Sequence, residues 1–372
     1  MSEAYIIAAR RTPVAPRNGA FRHLEVADLA APVIRALLFD AGLDDGDIDD
    51  VILGNALYAG GNPARVSALA AGLPVSTPAL TIDTQCCAGL DAILLAAARI
   101  RSGEAHAVIA GGVESYSRSP LRMRRPQKEG EPPVAYHRPP FSPWPDRDPD
   151  LIESAAALAQ VRGITRAAQE RFAIDSHAKT LSANLRSEIV AVNGLVADAF
   201  ARKLNQQICA RLPLVAGDAE HGLTATTTAV EADAAAMVLV VSNLLLQRLG
   251  RRYAVRLCLA KRVGLDPSKP ALGAQAAARV VLHQTDRAPG VVELMESFAP
   301  QAMAAIADLG LDPAIANRSG GALSRGHPIG ASGAILSVRL FHEMKSEQAG
   351  ALGLAAIAAA GGLGSAALFE RC

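Results

Sequence analysis

Short apolar runs alternate with segments of helical periodicity along most of the chain. Residues 51–57 and 79–83 are apolar runs that indicate buried strands, and residues 24–41 place apolar side chains at helical spacing. An asparagine followed by proline opens segment 62–71, which predicts an N-cap and the first turn of a helix. The alternation predicts an α/β fold with parallel strand pairing.

One long segment departs from this pattern. Residues 117–150 are rich in proline and arginine and have little aliphatic periodicity. Helical patterns follow over 151–186, and strand signals resume near 236–242. We therefore expect an insertion that covers part of the molecule. The predicted domains are an N-terminal half over 1–116, continued at about 236–250, a loop domain over 117–235, and a C-terminal half over 251–372.

The chain contains a short internal echo. The sequence Asp-Ala-Ile-Leu at 91–94 begins a helical segment that leads through a strand to Ala-Gly-Gly at 110–112. Gly-Ala-Ile-Leu at 333–336 begins a second such segment, which leads to Ala-Gly-Gly at 360–362. The echo predicts two duplicated α/β halves whose equivalent helices begin near a shared centre.

Composition and the absence of certain motifs argue against several classes of function. Half of the 372 residues are hydrophobic and the net charge is +1, so a large core is expected and a nucleic-acid partner is not. Walker and Gly-x-Gly-x-x-Gly motifs, membrane-length apolar runs and a secretory leader pattern do not occur. The five cysteines have no paired spacing typical of zinc, and we expect no metal and a reducing cytoplasm.

Cys86 is the first candidate for chemistry. It lies where a predicted strand ends and a predicted helix begins. The positive end of a helix macrodipole lowers the pKa of a nearby thiol, which predicts a reactive thiolate. The alternative is that Cys86 is a small core residue, the usual role of a buried cysteine. For its neighbour Cys87, packing is the favoured interpretation.

His327 is the second candidate. It lies in the glycine-rich run 320–333, which also precedes a helical segment. A histidine in such a loop can carry a proton or donate a hydrogen bond to an oxyanion. The alternative is a histidine exposed on a surface loop. The internal echo aligns Cys86 with Pro328, and it therefore predicts that Cys86 and His327 lie close together.

Several segments together resemble the thiolase family. They are Ile-Ile-Ala-Ala-Arg-Arg-Thr-Pro at 6–13, Cys86 with Gly89, Ala-Gly-Gly-Val-Glu-Ser at 110–115, Asp-Ser-His at 175–177 and Gly-His-Pro-Ile-Gly at 326–330. The resemblance implies a five-layered αβαβα fold of two similar halves with a loop domain over the active site. It also implies acyl transfer through Cys86, acyl-CoA substrates without a permanently bound cofactor, and a homodimer or homotetramer.

The chain also departs from the family pattern. Ala358 stands where the family has a second cysteine, the acid/base for the acetyl α-carbon. Met295 replaces the asparagine that holds a water beside the histidine. The loop that contacts pantetheine in the family is altered, and the matching positions include Thr228 and Ala229.

A basic cluster that includes Arg122 and Arg124 is a candidate for contacts with CoA phosphates. A solvated or intersubunit loop is the alternative for this cluster. The backbone N–H groups of Cys86 and Ala360 are candidates for the oxyanion hole, because backbone donors survive replacement of side chains.

Three hypotheses about function follow. The first is an acetyl-CoA acetyltransferase-like enzyme with weakened or altered carbon–carbon chemistry. The second is an acyl-CoA acyltransferase or hydrolase that uses Cys86 and His327 alone. The third is a non-catalytic CoA-binding homologue that acts with a partner.

Overall fold

The computed structural model describes residues 3–58 and 60–372. Its strands are β1 (Ala4–Arg11), β2 (Ala15–Pro16), β3 (Asp50–Gly54), β4 (Ala79–Ile82), β5 (Ala107–Glu114), β6 (Met123–Arg124), β7 (Val134–Ala135), β8 (Leu214–Ala216), β9 (Leu223–Thr224), β10 (Ala232–Ser242), β11 (Val255–Gly264), β12 (Val291–Leu294), β13 (Leu352–Ala359) and β14 (Leu363–Arg371). Its helices are α1 (Val26–Ala41), α2 (Pro63–Ala70), α3 (Ala88–Ser102), α4 (Leu151–Val161), α5 (Arg166–Ser182), α6 (Gln206–Ala210), α7 (Asn243–Arg248), α8 (Gly273–Leu282), α9 (Ala299–Asp308), α10 (Ala322–Arg325) and α11 (Ile329–Glu343).

The main sheet consists of two half-sheets of matching topology. The first runs β4-β3-β5-β10-β1 and the second runs β11-β14-β13-β12. In each, parallel pairs (β4–β3–β5 and β12–β13) are followed by antiparallel ones (β5–β10–β1 and β13–β14–β11). Strands β1 and β11 join the half-sheets through only two residue pairs.

The pairing is therefore mixed, whereas the sequence pattern predicted parallel strands. The turn Ala360–Gly362 connects β13 directly to β14, and a connection of that length permits only antiparallel pairing. The duplicated α/β organisation predicted from the internal echo agrees with the matching order of the two half-sheets.

Helices cover both half-sheets and also fill the space between them. A core cluster under α1 and α2 lies on the outer face of the first half-sheet, and one under α8 and α9 lies on the outer face of the second. The central cluster joins α3 and α11 to inward-facing residues of both half-sheets. The layers follow the order αβαβα, as the resemblance implies.

The central layer is packed backbone against backbone. A Cβ atom built on Gly112 would lie 1.9 Å from the carbonyl oxygen of Gly330, and one on Gly333 would lie 2.6 Å from the amide nitrogen of Leu90. A Cβ on Gly89 would lie 2.7 Å from the amide nitrogen of Ala334. Glycine is needed at these positions because no other side chain leaves room for the facing backbone.

The local predictions for the first strands and helices hold in part. The side chain of Asn62 accepts a hydrogen bond from the amide of Arg65 and Pro63 occupies the first helical position, so the predicted N-cap is confirmed. Strand β3 ends at Gly54, earlier than predicted. The amides of Ala56 and Leu57 leave the sheet and donate to the carboxylate of Glu114 instead.

The helical segment predicted over 151–186 is divided in two. Gly163 adopts a left-handed conformation after α4, and Thr165 caps the start of α5. The exposed segment before α4 contains the small hairpin β6–β7. Strand β10 then returns to the first half-sheet, while the domain boundaries at 116, 235 and 250 stay predictions. Within the described residues, no helix is long and apolar enough to cross a membrane.

We expect Gly112→Ala to destabilise the protein by about 1–3 kcal/mol or more, because the added methyl group meets the fixed backbone of Gly330. Gly46→Ala is the matched control, since a Cβ there meets nothing within 4 Å. The control should change stability by less than about 0.5 kcal/mol. Denaturant unfolding of both variants measures the difference, and equal stabilities would contradict the close approach of the two halves.

Candidate active site

Cys86 lies in a tight connection between β4 and α3. A short 3-10 helix, Gln85–Cys87, fills this connection, and α3 begins at Ala88. Gln85 has a φ of 57°, a left-handed conformation that is costly for a residue with a side chain. The turn holds Cys86 at the N-terminal end of α3 with 9% of its surface exposed.

The loop before α11 brings His327 to the same point. Gly326 has a φ of 112°, which favours glycine, and the amide of His327 donates to the carbonyl of Val230 at 2.7 Å. The Nε2 atom of His327 lies 3.2 Å from the Sγ atom of Cys86. The two side chains therefore meet, which is the proximity that the internal echo predicts.

Ser332 sets the proton arrangement of this histidine. The hydroxyl of Ser332 donates to the carbonyl of Pro328 at 3.0 Å, and the Nδ1 atom of His327 lies 2.6 Å from the same hydroxyl oxygen. Because the hydroxyl proton is already used, Nδ1–H is the donor to Ser332. This leaves the lone pair of Nε2 directed at the thiol of Cys86, which is the geometry of a general base.

Burial keeps this cysteine–histidine pair neutral in the resting protein. Burial, together with the nearby carboxylates of Glu114 and Asp83, raises the pKa of the Cys86 thiol to about 12. Burial also lowers the pKa of His327 to about 4. The predicted lowering of the Cys86 pKa is therefore wrong, because removal of the thiolate from water outweighs the favourable helix N-terminus.

Two backbone N–H groups face the sulfur of Cys86. The amides of Cys86 and Ala360 both act to lower the pKa of the thiol by hydrogen bonding to its charged form. Ala360 is buried in the turn between β13 and β14, where Gly361 and Gly362 have left-handed φ values of 73° and 77°. These two amides are the donors that the sequence predicts for an oxyanion hole, and that role stays a prediction.

A cavity of about 280 Å³ opens onto the thiol, and its wall is mainly apolar. Strand β13 and the loops of both halves contribute to the wall, as do Leu151 and Ile152 at the start of α4, so the inserted segment covers part of the site. The lining residues are Cys86, Tyr116, Leu151, Ile152, Thr228, Ala229, Glu231, Pro270, Ala271, Ser297, Phe298, Gln301, His327, Ile329, Ala358, Ala359 and Ala360.

The two altered family positions lie at different depths. Ala358 lines the cavity beside Ala359 and Ala360, at the end of β13. Met295 is 1% exposed and packs in the central core. Its thioether can at most accept a weak hydrogen bond, so it cannot donate one to a water near His327.

Glu296 follows Met295 but is committed to structure. Its carboxylate accepts hydrogen bonds from the side chains of Asn317 at 2.6 Å and Ser176 at 2.8 Å, and from the amide of Leu323 at 3.3 Å. It is 1% exposed and burial raises its pKa. Glu296 therefore braces α5 and α10 and does not stand in for the missing second cysteine.

The remaining sequence candidates divide into two groups. Thr228 and Ala229 line the cavity, next to Phe298 through an isolated bridge. Arg122 and Arg124 lie outside the cavity wall: Arg122 donates to the carbonyl of Ala56 at 3.4 Å, and Arg124 is exposed on the β6–β7 hairpin. A role for either arginine in CoA binding stays a prediction.

Sequence reasoning missed several polar groups at the site. The carboxylate of Glu114, whose pKa burial raises to about 7, accepts from the amide of Gly330 at 2.9 Å and so anchors the histidine loop. Both amide atoms of Gln301 are buried without a partner among the described residues, as is the hydroxyl of Thr228, which the sequence did indicate. Gln301 lies in the first turn of α9, three residues after Phe298, and both residues line the cavity. This helical spacing is the sequence signal that could have placed Gln301 at the site.

Residues 3–58 and 60–372 contain no cluster of side chains that could bind a metal ion. No group of three or more histidine, cysteine, aspartate or glutamate side chains is arranged to hold an ion. The nearby Cys87 directs its Sγ atom at the carbonyl of Ile357, 3.6 Å away in the core, as its predicted packing role requires.

The raised pKa of Cys86 predicts how the free protein reacts with iodoacetamide. Because the thiolate is the nucleophile, alkylation should increase about tenfold per pH unit between about pH 7 and pH 10. Fragmentation of the labelled peptide separates Cys86 from Cys87. The same protein in denaturant, where the thiol titrates near pH 8.5, is the control. A plateau below pH 8 in the folded protein would show a low pKa and contradict a neutral pair.

Comparison with known proteins gives the family of the chain. Residues 4–243 match the thiolase N-terminal domain and residues 252–371 match the thiolase C-terminal domain. A Bacillus subtilis protein named "Putative acetyl-CoA C-acetyltransferase YhfS" is 37% identical over 376 residues, which cover 99% of each chain.

Two solved structures agree with this assignment over nearly their whole length. The Bacillus anthracis acetyl-CoA acetyltransferase matches with a TM-score of 0.90 and 29% identity, over 100% of this chain and 99% of that one. Human mitochondrial 3-ketoacyl-CoA thiolase, solved in complex with CoA, matches with a TM-score of 0.90 and 26% identity, over 100% and 98%. The fold class predicted from the sequence is confirmed, and the chain belongs to the thiolase family.

Proposed function

We propose that this thiolase-family acyltransferase accepts an acyl group from acyl-CoA onto Cys86. The observation that carries the proposal is the 3.2 Å contact between the Sγ atom of Cys86 and the Nε2 atom of His327, with Nδ1 held by Ser332. A nucleophile, a base and a third group that orients the base are the arrangement needed for covalent catalysis.

The acyl-transfer step follows from this arrangement. As the sulfur attacks the thioester carbonyl, Nε2 of His327 takes the thiol proton, and a carbon–sulfur bond to Cys86 forms. The amides of Cys86 and Ala360 stabilise the oxyanion. The bond to the CoA sulfur then breaks, and the proton on His327 passes to the departing CoA thiolate. The high pKa of the resting thiol is no obstacle, since the proton moves during the attack.

The carbon–carbon step is weakened in this proposal. Condensation removes a proton from the α-carbon of a second acyl group, and the reverse reaction returns it. Ala358 lines the cavity at the position where the family has the cysteine for this transfer, and it has no exchangeable proton. Glu296 is held by three hydrogen bonds elsewhere. This observation also favours the second candidate, an acyltransferase or hydrolase without condensing activity.

The substrate is acyl-CoA, and we propose no permanently bound cofactor. Human mitochondrial 3-ketoacyl-CoA thiolase, a protein of the same fold, was solved with CoA.

We also propose that the protein forms a homodimer or homotetramer. Apolar side chains are exposed along the edge strand β4 and the adjacent α2, namely Leu80 at 42%, Val66 at 43% and Leu69 at 43%. Such a surface is typical of an interface between copies.

Incubation with acetyl-CoA should add one acetyl group to Cys86, measured by intact mass and peptide mapping. Cys86→Ala should abolish the adduct, and His327→Asn should slow its formation by about 10²–10⁴-fold because the base is lost. Cys258→Ala is the matched control, since Cys258 lies on β11 away from the cavity wall. Acetylation at another cysteine, or none at all, would reject the proposal and favour a non-catalytic CoA-binding homologue.

Acetoacetyl-CoA thiolysis should be slow compared with acylation of Cys86. Ala358→Cys combined with Met295→Asn should increase thiolysis by up to about 10²–10⁴-fold, because a general acid–base group returns. Ala358→Ser is the control of similar size, with a hydroxyl that does not titrate in this range. If the unaltered protein cleaves acetoacetyl-CoA at about 10 s⁻¹, typical of metabolic enzymes, the carbon–carbon step is intact and this part of the proposal is wrong.

A further inference from the structure

A second large cavity lies at the opposite end of α11 from His327. We call it the distal cleft; its volume is about 580 Å³, and its wall includes Arg10, Asp40, Arg251, Arg252, Lys345 and Arg371. The 15 residues of α11 separate the two sites. At 1.5 Å per residue this is about 22 Å, so the distal cleft is distinct from the acyl site.

The distal cleft has a strong excess of positive charge. Its one carboxylate, Asp40, is occupied by Arg10 through hydrogen bonds of 2.5 and 2.9 Å. Arg251, Arg252 and Lys345 form no ion pair with an acidic side chain in the part of the chain that the structure describes, and the same holds for Arg371. Four cations therefore remain unbalanced in a protein whose net charge is only +1.

Aromatic rings hold two of these cations in place. Lys345 lies 5.8 Å from the ring centre of Tyr253 and 5.2 Å from that of Phe341, and Arg371 lies 5.6 Å from that of Tyr253. The Nε atom of Arg371 is buried without a hydrogen-bond partner among the described residues. A buried donor without a partner is costly.

The helix dipole explains only part of this charge. Lys345 follows the C-terminal end of α11, where a cation is favourable. Arg251 and Arg252, however, come from the segment between the two halves, and Arg371 ends β14. Because these three arginines come from outside α11, their convergence on one cavity needs another explanation.

We propose that the distal cleft binds a small anion that contains a diphosphate group, either free or as part of a nucleotide. Guanidinium groups match phosphate oxygens with paired hydrogen bonds, and the lysine adds a compact positive charge. The volume is sufficient for a nucleoside diphosphate, with the diphosphate held by Arg252, Lys345 and Arg371.

The test is isothermal titration calorimetry of the protein with inorganic diphosphate, ADP and adenosine at low salt. We expect diphosphate to bind. We also expect Arg252→Gln and Arg371→Gln each to raise its Kd about tenfold or more, since each removes a charge-assisted hydrogen bond. Arg211→Gln is the matched control, because it removes the same charge from an exposed site on the loop domain, outside the cleft. It should change the Kd by less than about twofold.

The ligands distinguish the two sources of the diphosphate group. Tighter binding of ADP than of diphosphate, lost in both cleft variants, identifies a nucleotide, and equal or weaker binding of ADP identifies the free anion. Arg252 is exposed, so its variant should fold normally, and thermal unfolding checks this. The proposal is overturned if diphosphate does not bind, if the cleft variants and Arg211→Gln change the Kd equally, or if adenosine binds as tightly as ADP.

Discussion

The active site depends on the close approach of two backbone segments, one from each half of the molecule. Gly112 and Gly330 leave no space for a methyl group between them, and the carboxylate of Glu114 accepts a hydrogen bond from the amide of Gly330. These contacts fix the start of α11 against the first half-sheet. Because Cys86 and His327 stand at the starts of the two central helices, the same packing sets the distance between their reactive atoms.

This packing also determines the electrostatics of the pair. The layers on either side exclude water from Cys86, so the thiol stays protonated and the imidazole stays neutral. A neutral pair separates charge only when a carbonyl is present to accept the electrons. In the proposed mechanism, acyl transfer therefore needs only Cys86, His327 and backbone donors. Proton transfer at the α-carbon of a second acyl group would need a further side chain, and we propose that Ala358 does not provide it.

The sequence predicted the parts of the site that depend on motif and duplication. Cys86, His327 and Ala360 converge as expected, because each lies at the end of an element that the internal echo relates. The predicted direction of the shift in the Cys86 pKa was wrong. The helix dipole acts locally, whereas the burial that raises the pKa is created by all five layers of the folded chain. Ser332 and Glu114 act through hydrogen bonds whose geometry exists only in the folded chain. The distal cleft could not be predicted from the sequence either, because residues as distant along the chain as Arg10 and Arg371 form it.

We propose that the acyl-accepting half of the site is complete. A crystal structure of the protein after reaction with acetyl-CoA tests this most directly. We expect an acetyl group on the Sγ atom of Cys86, with its carbonyl oxygen within hydrogen-bond distance of the amides of both Cys86 and Ala360. Unmodified Cys86, or a carbonyl oxygen directed away from these two amides, would contradict it.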